Sequence, residues 1–444
     1  MVKNLTLGSP RRLIINFAIP LLIGNLFQQL YNIADTLIVG QTLGVKALAG
    51  VGSTAGIMFL IIGFMQGLTA GLAIPLGRAF GAGDAAGVRR SFAIAVWVSA
   101  TVALMVSASG ALLAPQILKV MQTPADIMQD ATAYLTVILA GSAAVTFYNL
   151  LANTLRALGD SRTPLYFLII AAVLNILLDL LFIVGFGWGV AGAGWATVIS
   201  QLLAAILCCV YLWQTVEQLH LSAEDFRPVS GELHEHLRMS LPMAFQFSVI
   251  ALGTLLIQYS LNLLGSTSVA AYSVAQKIES LTMFPLVSFG VAVGFFTAQN
   301  MGAGLHDRVR LGVRQTAVIS IIFGCTVGVF IIAAMPLLVA AFLGAGHGEV
   351  TELARLYFLV SVPLYPALSL LFIYRFALQA LGNAFIPTLA GFLELAARLL
   401  TVLLIVPAFG YTGVVVANPM AWIFALIPLA FTYRRSFIKE AETG

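Results

Sequence analysis

LRALGDSRTP at residues 155–164 returns 223 residues later as LQALGNAFIP at 378–387. Each copy joins two apolar runs through a short glycine-containing turn, with a proline opening the second run. The match is not isolated. LGVKALAG (43–50) lines up with LGSTSVAA (264–271), and GAGDAAGVRR (81–90) with GAGLHDRVRL (302–311), both displaced by 221 residues. Pro20 and Pro242 stand near the starts of equivalent runs. The chain is therefore a duplication, and the repeats fix its register: the junctions between apolar runs recur in order in both halves.

The runs themselves settle the medium. Of 444 residues, 60% are hydrophobic and 9% charged, with a mean hydropathy of +1.00. A soluble chain carries roughly 25% charged residues. Stretches of about 20 apolar residues recur throughout, each long enough to cross a hydrocarbon core of about 30 Å. No polar block exceeds 213–240, which excludes a sizeable soluble domain. The first run, from Leu13, is too long for a signal peptide and lacks a small-residue cleavage site. Cys208, Cys209 and Cys325 all lie in apolar runs, so they read as packing residues and not as a disulfide framework.

Twelve helices are predicted, at 13–39, 49–77, 91–114, 131–155, 164–186 and 190–212, then 241–264, 268–297, 312–343, 354–378, 386–408 and 412–433. With the N-terminus inside, sixteen Lys and Arg fall on the cytoplasmic side, Lys3, Arg227 and Lys439 among them. Only Lys46, Lys119 and Arg355 fall outside. The positive-inside rule thus places both termini in the cytoplasm. Six helices per half give both halves the same orientation. The expectation is an all-α integral membrane protein of two six-helix bundles, related by a pseudo-twofold axis along the membrane normal. The N-terminal lobe is 1–212, the linker 213–240 and the C-terminal lobe 241–444.

QQLYNIADTLIVG (28–40), LGRAFGAGD (76–84), LRALGDSRTP and LNILLDLLFI (174–183), in this order and with their second-half counterparts, resemble the multidrug and toxic compound extrusion (MATE) family. That resemblance covers essentially the whole chain. It implies a multidrug exporter driven by a cation gradient, with no cofactor. It points to the DinF-like side of the family, whose acidic site in the N-terminal lobe matches Asp35, Asn175 and Asp179 here. Asn149 and Thr197 match the accompanying polar positions. The acids of the NorM-like side, in the seventh and tenth helices, have no match: Gln246 and about Leu368 stand in their places.

The residues themselves support the same site. Asn175 and Asp179 are four apart and share a helix face. A charged Asp near a helix centre costs roughly 2.5–3.5 kcal/mol on insertion, so such residues usually face a cavity and mark ion pathways. Two carboxylates in one apolar lobe repel, which favours holding a proton or a hard cation between them. Asp35, set among Ile33, Leu37, Ile38 and Val39, is the candidate coupling residue, and Pro20 gives its helix a place to bend. The alternative is a purely structural hydrogen-bonding role.

In the second half, Lys277 and Glu279 share a helix, and Glu394 and Arg398 form an i,i+4 acid–base pair. These charges read as largely compensated, which leaves two readings open, a structural ion pair, as at Glu394–Arg398, and a substrate contact. Glu279, with Gln246 and Lys277, makes up a candidate polar or substrate site, and Glu279 is the better functional candidate because Lys277 is not on its helical face. Arg375, one turn from a predicted helix end, is expected to snorkel to the interface.

Other features carry less. GAGDAAG lacks the preceding strand and the lysine of a phosphate-binding loop, so it reads as a tight turn. HEH (234–236) could hold a metal only with partners the linker does not supply. GFGWGVAGAGWA (185–196) reads as a hairpin packed through small residues. No ATP-binding motif or catalytic triad occurs, so transport must be secondary and the protein no enzyme. The expected activity is export of organic, cationic or amphipathic compounds from the inner membrane in exchange for H⁺, with Na⁺ open. The partners are small-molecule drugs or metabolites and membrane lipid, without nucleic acid, and the chain reads as a monomer. Alternative readings are a lipid-linked precursor flippase, a metabolite exporter, and a channel or scaffold. Only three intramembrane cations, two of them near acids, argue against the flippase.

Overall fold

A computed structural model describes residues 4–222, 224–226, 230–343 and 348–443. Lys3 and Arg227 of the topology count lie outside the described residues. In lipid every backbone N–H and C=O must be paired within the chain, and these long apolar runs do so as helices. In order they are α1 (Pro10–Leu43), α2 (Val45–Gly81), α3 (Ala85–Val120), α4 (Met128–Ala140), α5 (Ser142–Ala157), α6 (Arg162–Asp179), α7 (Gly189–Thr215), α8 (Ser230–Leu264), α9 (Ser266–Gly302), α10 (His306–Leu343), α11 (Gly348–Ser361), α12 (Tyr365–Ala380), α13 (Phe385–Leu400), α14 (Val406–Phe409) and α15 (Tyr411–Thr443).

Among the described residues, 11 helical spans are long and apolar enough to cross a membrane, and α4 with α5, bent by 46° at Gly141, make up a twelfth. The expected single helix at 131–155 is thus broken, at a residue of low helix propensity. Its second-half counterpart breaks at the 3-10 turn Val362–Leu364, where Pro363 removes a backbone donor. The duplication also appears in a second irregularity. A π turn follows α6 at Leu180–Gly185, and another follows α13 at Thr401–Ile405.

Several helices outrun their expected ends. Helix α1 continues to Leu43 and not to 39, which sets Asp35 about two turns inside its end. It is helical through Pro20. The linker is not loop throughout: it opens with the end of α7, and from Ser230 it is already α8.

The chain forms two compact units. One gathers Ile19–Ala244 with Gly302–Gly304 and the first residues; the other gathers Gly8–Ala18, Phe245–Met301 and the chain from Leu305 onward. In the first unit, Val39, Tyr134, Ile138, Ile183, Val190 and Val198 form a buried cluster beside the acid pair. In the same unit, α2 lies directly on the start of α8. A Cβ on Gly67 would stand 2.3 Å from the Met243 carbonyl oxygen, and one on Gly71 2.4 Å from Ser240 Cα. GLTAG thus meets small residues of α8, the close approach that small-xxx-small spacing permits. The second unit packs Tyr357, Phe358, Tyr365, Leu368 and Trp422 into its core.

The turns read from sequence form as their residues dictate. In GAGDAAG, Asp84 caps α3 by accepting from the Gly87 amide at 2.8 Å. The linker is tied down by ion pairs: Arg89–Asp225 at 3.4 Å, Arg90–Glu232 at 2.9 Å and Arg78–Glu235 at 3.6 Å. The Ser222 backbone amide, with the Ser222 hydroxyl and Arg89 alongside, holds the Asp225 carboxyl below the usual carboxylate range. His236 of HEH is buried, its Nδ1 2.8 Å from the Glu232 carbonyl oxygen. Among the described residues, no cluster of three metal-ligating side chains occurs.

Candidate functional site: an acid pair in the first unit

Three helices bring the predicted residues together. Asp35 comes from α1, Asn175 and Asp179 from the last turns of α6, and Thr197 from α7. Asp35 is 9% exposed, and Asn175 and Asp179 are fully buried. The two carboxyls lie within hydrogen-bonding reach of one another. Asn175 sits between neighbours: with its amide oriented as the hydrogen bonds require, Nδ2 donates to Asp179 Oδ2 at 3.3 Å and Oδ1 accepts from the Thr197 amide at 3.2 Å. The Thr197 hydroxyl accepts from Tyr31 Oη at 3.1 Å. Oδ1 of Asp35 and Oδ1 of Asp179 have no hydrogen-bond partner among the described residues. Neither carboxylate has an ion-pair partner among the described residues.

Such an arrangement is chemically unfinished. Two buried carboxylates without a cation carry a cost that a shared proton or a bound cation would remove. The π turn begins at Leu180, the residue after Asp179, and such turns interrupt helices mostly at functional sites. Asn149 on α5 has its Nδ2 donating to the Val145 carbonyl of its own helix at 2.9 Å. Sequence reasoning missed Tyr31 and Tyr134. Tyr31 lies four residues before Asp35, one helical turn away, which was a readable signal. Tyr134, within electrostatic reach of both acids, comes from α4 and gave none.

The second unit is wired differently. Glu279 on α9 is buried and accepts from Tyr357 Oη at 2.5 Å and Tyr365 Oη at 3.5 Å. Tyrosine hydroxyls, and not Lys277, satisfy it, which corrects the expectation of charge compensation along α9. Two residues apart, Lys277 and Glu279 point about 200° apart around the helix, and Lys277 is exposed. The Glu394–Arg398 pair forms as expected, at 3.5 Å. Arg375 corrects a second expectation. It is 2% exposed and donates to Glu394 Oε1 instead of snorkelling, because α12 runs on to Ala380 and turns this side chain inward. Gln246 accepts from Gln379 at 3.0 Å. Arg398 Nε donates to Asn418 Oδ1 at 3.0 Å, and Asn418 Nδ2 to Tyr272 Oη at 3.1 Å.

Known proteins agree with this architecture. Probable multidrug resistance protein YoeA of Bacillus subtilis is 30% identical over 323 residues, covering 71% of this chain and 69% of its own. The FAD transporter of Shewanella oneidensis is 26% identical over 377 residues, covering 83% and 82%. The crystal structure of MATE in the bent conformation superposes with a TM-score of 0.91 at 22% identity, over 99% of this chain and 98% of that one. The model of the MatE family matches residues 20–181 and 242–406, one stretch in each half. The chain therefore belongs to the MatE family, whose members are membrane transporters and not enzymes.

Proposed function

We propose that this protein is a secondary antiporter that exports amphipathic organic compounds by alternating access, with Asp35 and Asp179 as its coupling-ion site. The observation that carries the reading is the pair of adjacent, buried carboxylates with unpartnered oxygens, set beside a buried apolar cluster. An ion gradient can act on such a pair because occupancy by a cation changes its charge, and a change of charge at membrane depth is worth several kcal/mol. The relatives named as multidrug resistance proteins support drugs as cargo, and the FAD transporter among them supports metabolites as the alternative.

The coupling ion is the proton. The DinF-like pattern of first-half acids, together with Gln246 and Leu368 where the NorM-like side has acids, favours it. Protonation would remove the charge of Asp35 and let α1 repack about Pro20. Sodium is the alternative, with Asp35, Asp179, Asn149, Asn175 and Thr197 offering oxygen ligands. A proton entering through about 100 mV gains about 2.3 kcal/mol, and each pH unit adds about 1.36 kcal/mol. One proton thus sustains a gradient of several hundredfold for a neutral cargo, but only about tenfold per pH unit for a monovalent cation. The protein acts as a monomer in the inner membrane, with both termini in the cytoplasm.

Dye efflux from proteoliposomes, with pH and sodium gradients imposed separately, tests the ion. Export driven by a pH gradient in sodium-free buffer is expected. Export driven by sodium alone at zero pH gradient would overturn the proton while leaving the site standing.

A further inference from the structure

We propose that Arg375 and Arg398 form a recognition site for the anionic group, a carboxylate or phosphate, of an amphipathic cargo. This rests on the drug-export reading and adds a substrate class to it. The starting point is a charge count. Within the second unit, Glu394 is shared by two guanidiniums, from Arg375 and from Arg398. Arginine stays protonated in proteins, so the cluster of three carries one surplus positive charge. Its members are 2% exposed for Arg375, 5% for Glu394 and 8% for Arg398. Glu279 does not cancel the surplus by contact, being held by Tyr357 and Tyr365.

Glu279 offsets this charge only at a distance, from the other side of Tyr272, and a buried charge without a contacting partner is costly. A merely structural pair would need only one arginine. The second is costly unless something negative meets it, and donors are in place for that. The Nε–H of Arg375 is buried with no acceptor, and a planar guanidinium matches a carboxylate or phosphate through two parallel hydrogen bonds.

The surroundings are shaped around the guanidinium. On α8, Gly253 faces Arg398 with bare backbone: a Cβ there would stand 3.0 Å from Arg398 Cδ and 3.1 Å from Nη1. Two turns earlier on the same helix, Gln246 is half-buried, and Asn418 on α15 is half-buried beside Arg398. The route we assign to the anion runs past these two half-buried amides and not through packed aliphatic side chains.

The test uses rhodamine 110, which carries a carboxylate, and rhodamine 123, its methyl ester, bound to the full-length transporter in nanodiscs and followed by fluorescence anisotropy. Arg398→Gln removes the surplus charge but leaves Arg375 and Glu394 balanced, so it should stay folded, which its melting temperature checks. A charged, two-point contact is expected to be worth roughly tenfold or more in affinity. Arg398→Gln should weaken rhodamine 110 by that factor and leave rhodamine 123 within about twofold. Arg375→Gln is the second variant and should do the same, since it also leaves one balanced pair. Equal effects on both dyes, or none on either, would overturn the proposal, as would a wild-type protein that binds only the ester. Binding of neither dye would overturn the drug-export reading itself.

Discussion

The two halves of this molecule carry the same irregularities and opposite chemistry. In each, a helix with an i,i+4 polar pair runs into a π turn: Asn175 and Asp179 before 180–185, Glu394 and Arg398 before 401–405. In the first half the charged neighbour is another acid, Asp35, and no cation among the described residues pairs with either. In the second half it is another cation, Arg375, and one carboxylate serves two guanidiniums. Duplication preserved the backbone break and not the side chains that use it. An acid pair without a counterion favours a cation, whereas a cluster of one acid and two guanidiniums packs the unit and leaves a positive charge to meet an anion.

The largest expected effect separates these two roles by stability. Glu394→Gln leaves two guanidiniums buried without an acid, and breaking a buried pair from one side costs about 3–5 kcal/mol. Thermal unfolding in detergent should show this as a severe loss of folded protein. Arg398→Gln, which keeps one acid and one guanidinium, should cost much less. The double variant Glu394→Gln with Arg398→Gln should recover part of the loss. A double variant no better than Glu394→Gln alone would break the ion-cluster account, since coupled residues must give a non-additive cycle.

A smaller effect sharpens the comparison at the repeated turns of 155–164 and 378–387. Asp160 and Asn383 occupy the same place, and each caps the helix that follows. Asp160 Oδ1 accepts from the Thr163 amide at 3.0 Å, and Asn383 Oδ1 from the Ile386 amide at 3.2 Å. Burial pulls the Asp160 carboxyl upward, but donors including the Thr163 amide and hydroxyl outweigh it and hold the carboxyl below its usual range. A depressed folded-state pKa gives stability that is present above the unfolded value, near 3.9, and lost as pH falls through the folded one. Asp160→Asn, which keeps a capping oxygen but not the charge, should therefore cost less than a lost cap and flatten the acid limb of the unfolding profile, and Asp160→Ala should cost about 0.5–2 kcal/mol at neutral pH. Asn383→Ala should cost a similar amount with no change in the acid limb. An unchanged acid limb in Asp160→Asn would show that this carboxylate is not what the turn's stability depends on.

Much of this was legible from sequence. The spans and the duplication follow from hydropathy and repeat, and the cost of a charge in lipid marks Asp35 and Asp179; their grouping with Asn175 and Thr197 was implied by the resemblance to the MATE family. What sequence did not disclose was which way a residue faces on helices that are apolar all round. On α12 no polar stripe distinguishes interior from lipid, so Arg375 read as an interfacial residue while its side chain turns toward Glu394. Tyr357 and Tyr365 were hidden for the same reason, being two aromatics among many. Their shared partner Glu279 lies about 80 residues earlier, a distance that no local pattern spans. Asn149 matched a family position, yet its amide bonds to its own helix.

The central claim is that Asp35 lends its charge to coupling and not to the fold. Uphill dye export should be measured in proteoliposomes under one imposed pH gradient, for the wild type and for Asp35→Asn, with melting temperature and membrane insertion recorded for both. The amide keeps the shape of the side chain but cannot take up or release a proton. The account predicts a folded, inserted Asp35→Asn protein that accumulates no dye against its gradient. Uphill export by that variant at the wild-type rate would contradict it.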